Sequence, residues 1–426
     1  MHTSIQKHFE SLKHDYKTDY SVVYTWVKDH IDLLDKNHKW LFSNKSHPII
    51  LEVLIIYLLN KNDLLQASYY LYAFKKSIGD GVAFRLLCAS YSIKSNSYDT
   101  AYELLISVLK QAPQGSNTWL MLIECCCKNK WLDRGIFFSK KALTQQEWKP
   151  KTQLELKTKL NNFYFTNYEF KKSIFTSQDI LQSFLDLDMF FIDDADKLPF
   201  KPEVAMTALG DFIALCEADE VKAFPIAGTL LGLHRDGALM PYDKDIDIAI
   251  STEDSMDIIK VIIEKNPRYS IDTDLIHINT YMSIYDKKLL VTIDILKFWE
   301  EDGKFYYGWQ LPGKYEKESR LLTFTPFHLV KRKFKEQELY TPNNCDLFLS
   351  ELYGNWKIPD PYYYSVLANN LQKITSLSEA ISYRFLIASL RHKKEKKAIT
   401  IINALQHWEN KDPLLVEIKK KYETKI

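Results

Sequence analysis

Between Gly228 and Ile250 the chain gathers groups suited to a charged substrate. Asp243, Asp245 and Asp247 occupy alternate positions, with Lys244 and Ile246 between them and Ile248 following. A strand over residues 243–250 would send the carboxylates of Asp245 and Asp247 to one face and the isoleucines into a core. Adjacent anions on one face repel unless a cation sits between them, and a hard divalent ion with oxygen ligands is the usual partner. Calcium-loop chemistry is excluded, because Ile248 stands where such a loop requires glycine. A lone Asp-x-Asp is ordinarily a solvated turn. Asp294, between Ile293 and Ile295 in the apolar run 290–296, is harder to explain that way, since an unpaired buried carboxylate is costly.

The surrounding periodicity predicts a mixed α+β segment. Residues 203–217 read as a helix, 223–226 as a short strand, 229–234 as a turn of helix and 243–250 as a strand. A helix over 254–265 and a strand over 289–296 follow. From Trp299 to Phe327 no pattern emerges, and an irregular stretch is expected there. The first third is different. Ala67, Ala101 and Gly135 recur every 34 residues, as do Leu54, Cys88 and Leu122. This resembles the tetratricopeptide repeat, with residues 1–45 expected to cap the stack. Residues 380–390 and 396–407 read as a C-terminal, repeat-like helical hairpin. The expected division is a helical repeat domain over 1–175, an α/β catalytic domain over 200–365 and the hairpin over 376–426.

Charge and cysteine usage narrow the classes. The 56 Lys and Arg against 55 Asp and Glu leave a net charge of +1, which offers no electrostatic footprint for nucleic acid. The 6 cysteines, with Cys125, Cys126 and Cys127 consecutive, lack metal-ligand spacing and fit free thiols in a reducing compartment. The first residues show no charged-then-apolar leader, and the apolar run 49–59 is too short to span a bilayer. The expectation is a cytoplasmic protein without a transmembrane segment, free or peripheral at the inner face of a membrane. Lys331-Arg-Lys333 reads as solvated surface; His234 and His277 have no partner at a telling spacing.

The order Gly228-Thr229, then Asp245-Ile-Asp247, then Asp294 is similar to the nucleotidyltransferase fold. More specifically, Gly228-Thr-Leu-Leu-Gly232, Arg235-Asp-Gly237 and Pro241-Tyr-Asp-Lys-Asp-Ile-Asp247 resemble the central motif of the LicD and fukutin-related phosphotransferases. Tyr242 stands where that family commonly has tryptophan. Tyr340-Thr-Pro342 and Leu352-Tyr-Gly-Asn-Trp-Lys-Ile-Pro359 match its later landmarks, so the resemblance covers roughly residues 200–365. It implies transfer of a phosphorylated small group, phosphopolyol or phosphocholine, from a CDP-activated donor to a sugar hydroxyl of a glycan or lipid-linked saccharide, releasing CMP. Mg²⁺ or Mn²⁺ is the implied cofactor, held by Asp245 and Asp247, with Asp243 in support. Asp294 would complete the metal set or accept the proton of the attacking hydroxyl. Gly228 and Thr229 would let the backbone approach the diphosphate, and Arg235 would contact phosphate. Tyr353, Gly354 and Trp356 are expected to be a packing landmark.

Family members in a secretory pathway would need an anchor, so a bacterial enzyme of capsule, lipopolysaccharide or teichoic-type polymer synthesis is the expected setting. The repeats would hold an extended acceptor or a partner protein. Two other readings stay open: a nucleotidyltransferase releasing pyrophosphate, and a repeat scaffold with an inactive transferase domain.

Overall fold

The computed structural model describes residues 9, 12, 22–145, 147–186, 200–271, 278–360, 362–365, 368–408 and 412–423. It divides into two compact units, 1–167 and 168–426. The break falls between two helices, ahead of the boundary at 175 expected from the repeat pattern.

The first unit is helical. Three short helices, α1 (Val22–Asp29), α2 (Ile31–Lys36) and α3 (His38–Ser43), precede α4 (Pro48–Asn60) and α5 (Leu64–Ile78). Then come α6 (Val82–Lys94), α7 (Tyr98–Gln111), α8 (Ser116–Lys128), α9 (Leu132–Gln145) and α10 (Pro150–Thr166). The 34-residue period is a property of the backbone as well as of the anchors. Asn62, Asn96 and Lys130 each take a left-handed conformation, with φ of 59°, 59° and 55°. The N–H one residue later bonds back across the helix end, Asp63 to the Leu58 carbonyl at 2.9 Å and Trp131 to that of Cys126 at 2.9 Å. This closes α4 and α8 in the same way and sets the angle at which the next helix returns. Five residues after each left-handed residue comes the small anchor, Ala67, Ala101 or Gly135, buried against the partner helix. At Gly135 the approach leaves no room for a side chain, because an added Cβ would overlap the Phe163 ring. The left-handed residue and small anchor recur at Tyr168 and Ser173, and at Lys393 and Ala398.

The second unit begins with α11 (Phe170–Asp186) and α12 (Pro202–Ala218). A five-stranded sheet follows, with strands β1 (Ala223–Pro225), β2 (Ile246–Ile250), β3 (Tyr269–Ile271), β4 (Tyr281–Asp286) and β5 (Val291–Lys297) in the order β1-β2-β5-β4-β3. Only β2 and β5 are parallel. One face of the sheet buries Ile246, Ile248, Ile250, Ile293 and Ile295 against α12 and α14 (Met256–Lys265). The other carries Phe224, Ala249 and Leu296 into an aromatic cluster with Phe298, Phe324 and Phe348.

The stretch from Trp299 to Phe327 is ordered. It forms a three-stranded sheet of β6 (Trp299–Glu301), β7 (Lys304–Trp309) and β8 (Arg320–Phe324), with a 3₁₀ turn over Gly313–Glu318. Asp302 and Gly303, at φ of 48° and 67°, make the hairpin between β6 and β7. An Asp-Gly pair between aromatic-rich runs is a known hairpin signal, so this element was legible and the expected irregular stretch is corrected. Strands β9 (Leu329–Phe334) and β10 (Gln337–Pro342) pair next, followed by α15 (Cys345–Tyr353). Three helices close the unit, α16 (Ser376–Arg391), α17 (Glu395–His407) and α18 (Pro413–Glu423), one more than the expected hairpin.

At the far edge of the sheet, Arg268 donates to both oxygens of Asp286 at 2.9, 3.0 and 2.6 Å and to Asp211 of α12 at 2.7 Å. Burial alone would raise the Asp286 carboxyl, but Arg268 and the backbone N–H groups of Leu289 and Lys288 outweigh it and hold the group below the ordinary range. Its contribution to stability is therefore present above the ordinary carboxylate pKa and lost as pH falls through the depressed value. Asp286→Ala, which leaves a half-paired guanidinium beside a buried site, should cost about 3 kcal/mol at neutral pH. The gap to the parent should shrink in acid, read from urea midpoints by tryptophan fluorescence.

Candidate active site

The three acids of the motif do not all lie on a strand. β2 begins at Ile246, because the Asp243 N–H is spent on the Met240 carbonyl at 3.2 Å and the Lys244 N–H on the Asp243 carboxylate at 3.1 Å. Asp243 and Asp245 thus sit in the turn entering the strand, and Asp247 inside it. In the ladder Asp247 lies directly beside Asp294 of β5, and Asp294 beside Ser283 of β4. The Tyr281 hydroxyl hydrogen-bonds Asp294 and Ser283. The expected strand face shared by Asp245 and Asp247 is therefore corrected, since only Asp247 is on the strand, where its neighbour is Asp294 and the isoleucines enter the opposite core.

Helix α13 (Ala227–Asp236) aims its first turn at this row. The Ile226 N–H donates to the Asp247 carbonyl at 3.1 Å, the Asp247 N–H donates to Thr229 Oγ1 at 2.8 Å, and the Gly228 N–H reaches the Asp247 carboxylate. Ala227 is held at φ 43°, a strained conformation for a residue with a Cβ. At Gly228 an added Cβ would lie 2.8 Å from Asp243 Oδ2, so glycine is what admits the Asp243 carboxylate. Thr229 is 1 % exposed and its hydroxyl is spent on the strand, which makes it a positioning residue rather than a substrate contact. Arg235 is likewise engaged. Its Nε and one terminal nitrogen clasp Asp236 at 3.0 and 2.8 Å, and Tyr242 Oη and the Trp356 carbonyl lie at 3.5 Å. A phosphate would have to displace Asp236 to use that fork.

The acids stress one another. Burial, then the Asp245 charge, pushes the Asp243 carboxyl up to about 6. Burial also raises Asp245, with Lys244 pulling back. Asp247 is driven furthest, by burial first and then by Asp245, Asp294 and Asp243. Tyr353 and Tyr307, raised chiefly by burial, also feel the Asp247 charge. Sequence reading cast Tyr353 as packing only and passed over Tyr281 and Tyr307. The signal available was an excess of tyrosine, 26 in the chain, which says nothing about position. His234 does have a partner, Asp346 Oδ1 at 2.8 Å, with Trp356 against its ring; a separation of 112 residues hid it. His277 lies outside the described residues. Lys331 pairs with Glu217 at 3.3 Å on the surface, as expected of that basic run.

Among the described residues no three acidic, histidine or cysteine groups stand ready to enclose a metal ion. The donor set is all oxygen. Mg²⁺ is commonly held by one or two carboxylates, with substrate phosphates and waters completing the shell, and the adjacent Asp247 and Asp294 fit that pattern.

Residues 220–344 match the LicD/FKTN/FKRP nucleotidyltransferase domain. The resemblance carried by the Gly228–Asp247 motif therefore holds for the segment that builds this site, and a domain of this type supports a transferase acting on glycans in general terms. An uncharacterized protein of Rickettsia prowazekii (strain Madrid E) is 28% identical over 143 residues, 33% of this chain and 51% of the relative. The match thus spans about half the length of that relative. A solved tetratricopeptide repeat protein from Parabacteroides merdae aligns with 44% of this chain and 73% of its own, at 11% identity and a TM-score of 0.33.

The raised Asp243 carboxyl has a measurable consequence. Its folded pKa lies above its unfolded value, so the metal-free protein loses stability as pH rises from 3.8 toward about 6. Asp243→Asn should remove that loss and gain on the order of 2 kcal/mol over the parent above neutrality in EDTA, with the difference vanishing in acid. Urea midpoints across the pH range check both the size and the sign.

Proposed function

We propose that the protein transfers a phosphorylated small group, of phosphopolyol or phosphocholine type, from a CDP-activated donor to a sugar hydroxyl of a cell-surface glycan, releasing CMP. The observation that carries the reading is the side-by-side placement of Asp247 and Asp294, backed by the α13 N-terminus, within a segment matching the LicD/FKTN/FKRP domain.

Displacement at phosphorus builds charge on the equatorial and leaving oxygens, so positioning and electrostatics carry most of the catalysis. Asp247 and Asp294, with Asp245 and Asp243 in support, would hold Mg²⁺ or Mn²⁺, which would supply positive charge to the diphosphate of the donor and to the departing CMP. Thr229 and the Gly228 N–H fix Asp247 in place. Asp294, hydrogen-bonded by the Tyr281 hydroxyl, would complete the metal set or take the proton of the sugar hydroxyl. In the second role the hydroxyl proton passes to Asp294 as the sugar oxygen bonds to phosphorus and the bond to CMP breaks. Arg235 keeps the Asp236–Tyr242 wall in place unless donor binding releases it.

On the helical unit, a groove of about 600 Å³ lined by Arg85, Asp99, Thr100 and Glu103 offers mixed charge to a partner protein or an extended acceptor. Among the described residues no helix is long and apolar enough to cross a membrane. That suits an enzyme working at the inner face of a bacterial membrane on capsule, lipopolysaccharide or teichoic-type precursors.

The test is product analysis with CDP-ribitol, CDP-glycerol and CDP-choline, with and without Mg²⁺. Metal-dependent release of CMP from one of them is the expected result. Release of pyrophosphate from CTP instead would move the assignment to nucleotidyl transfer, which the description of the matched domain keeps in view. Asp247→Ala and Asp294→Ala should each lower turnover about a thousandfold or more with an unchanged circular dichroism spectrum. Full activity in either variant would overturn the site.

A further inference from the structure

Where β8 meets the C-terminal helices, a buried cation lies outside the chemistry proposed above. Arg320, the first residue of β8, is 8 % exposed. Its guanidinium donates to the Ser365 carbonyl, and its Nε has no partner. The charges acting on it are the phenols of Tyr307, Tyr363 and Tyr364, with no carboxylate among them. The Tyr364 hydroxyl, equally buried, also lacks a partner. Its ring packs edge-on to Phe385 at 4.2 Å, and Lys397 Nζ of α17 stands 4.7 Å from the ring centroid. Lys397 in turn feels Lys244, the residue between Asp243 and Asp245. Arg320 and Arg384 both act on the Tyr364 phenol, and Lys397 stands over its ring, so Tyr364 links these cations.

A buried guanidinium left without an anion is costly, and a fold tolerates it where a ligand supplies the charge. Arg320 and Asp247 both act on the Tyr307 phenol, but the guanidinium itself donates to the Ser365 carbonyl. We propose that Arg320, Tyr364 and Lys397 form a second anion pocket, taking a phosphate or carboxylate group on the acceptor saccharide. Assigning that anion to the acceptor rests on the transfer reading; the pocket itself does not. Arg320 supplies its unpartnered Nε–H, Tyr364 a hydroxyl and Lys397 a further positive charge, a set that would select charged acceptors over neutral ones.

The probe is inorganic phosphate, titrated calorimetrically into the full chain in EDTA, where the acidic row repels it. Saturable binding at one site is expected. Arg320→Gln should weaken it about tenfold or more, Tyr364→Phe and Lys397→Met several-fold, and Asp247→Asn not at all. Acetate in place of phosphate separates the two kinds of anion. Absence of saturable binding by the parent, or equal binding by a folded Arg320→Gln, would overturn the pocket. Should Arg320→Gln not fold, the Tyr364→Phe/Lys397→Met double variant decides, because undiminished phosphate binding there has the same meaning. Failure of CMP release with phosphate binding intact would remove the acceptor assignment and leave the pocket.

Discussion

Two carboxylates, Asp247 and Asp294, stand side by side on a parallel strand pair within the field of Asp243 and Asp245, and most of the second unit can be understood as the means of keeping them there. Asp247 is the extreme member, half-buried and flanked by three other acids. Coulomb repulsion at this spacing is severe in a medium that excludes water, and the fold offers only partial relief. The Gly228 N–H faces Asp247, Tyr281 bonds Asp294, and Lys244 offsets Asp243 and Asp245. Partial relief is what a site requires if its missing positive charge comes from outside. The isoleucine face of the sheet against α12 and the aromatic face against α15 supply the apolar burial that lets the ladder hold this stress.

The acids themselves were legible because strand chemistry is local. An alternation of Asp and Ile has one economical solution, and the structure adopts it from Ile246 onward. The strand start was misplaced by three residues because hydrogen bonds at Met240 and Asp243 compete with the ladder, and period-two hydrophobicity is blind to them. The 34-residue period was readable for a similar reason, since Ala67, Ala101 and Gly135 report a close approach that only small side chains allow. What could not be read was the surroundings of the acids. Tyr281, Tyr307 and Tyr353 reach them from three separate elements, and His234 finds Asp346 across 112 residues. No spacing rule connects such residues before the fold does. The Asp302-Gly303 hairpin is a different sort of miss, because its turn signal was in plain view and the aromatic runs beside it were taken for irregular chain.

The same distinction separates residue type from residue task in the Gly228–Arg235 segment. Glycine, threonine and arginine near acidic residues suggest phosphate contact, and the motif does place them at the site. Their polar groups, however, face inward, with Thr229 on the strand, Gly228 making room for Asp243, and Arg235 on Asp236. The segment works as a bracket that sets the angle of Asp247. A bracket of this kind tolerates little change, because each member is fixed by a backbone or carboxylate atom rather than by a mobile side chain.

The C-terminal helices extend that logic beyond the sheet. α16 packs on α11, and α11 is tied to the loop before α18 by Gln178, which donates to Asp412 at 2.9 Å, an acid that also accepts from Tyr383 at 2.7 Å. The helical layer in turn rests on one short turn of the catalytic segment. Tyr168, just before α11, lies against Tyr315 at 4.8 Å, while Glu318 receives the Thr375 hydroxyl at its carbonyl and the Ser376 N–H at its carboxylate. Gly313–Glu318 is thus held by the starts of two helices, and two residues later the chain enters β8 at Arg320. Residues that sequence reading would separate into a repeat-like tail and a catalytic domain are therefore parts of one support. Shifting α16 along its axis would move the Glu318 anchor, the Arg320 guanidinium and the Tyr364–Lys397 contact together. The helical layer thus helps define the surroundings of Arg320 as much as the strands define those of the acids.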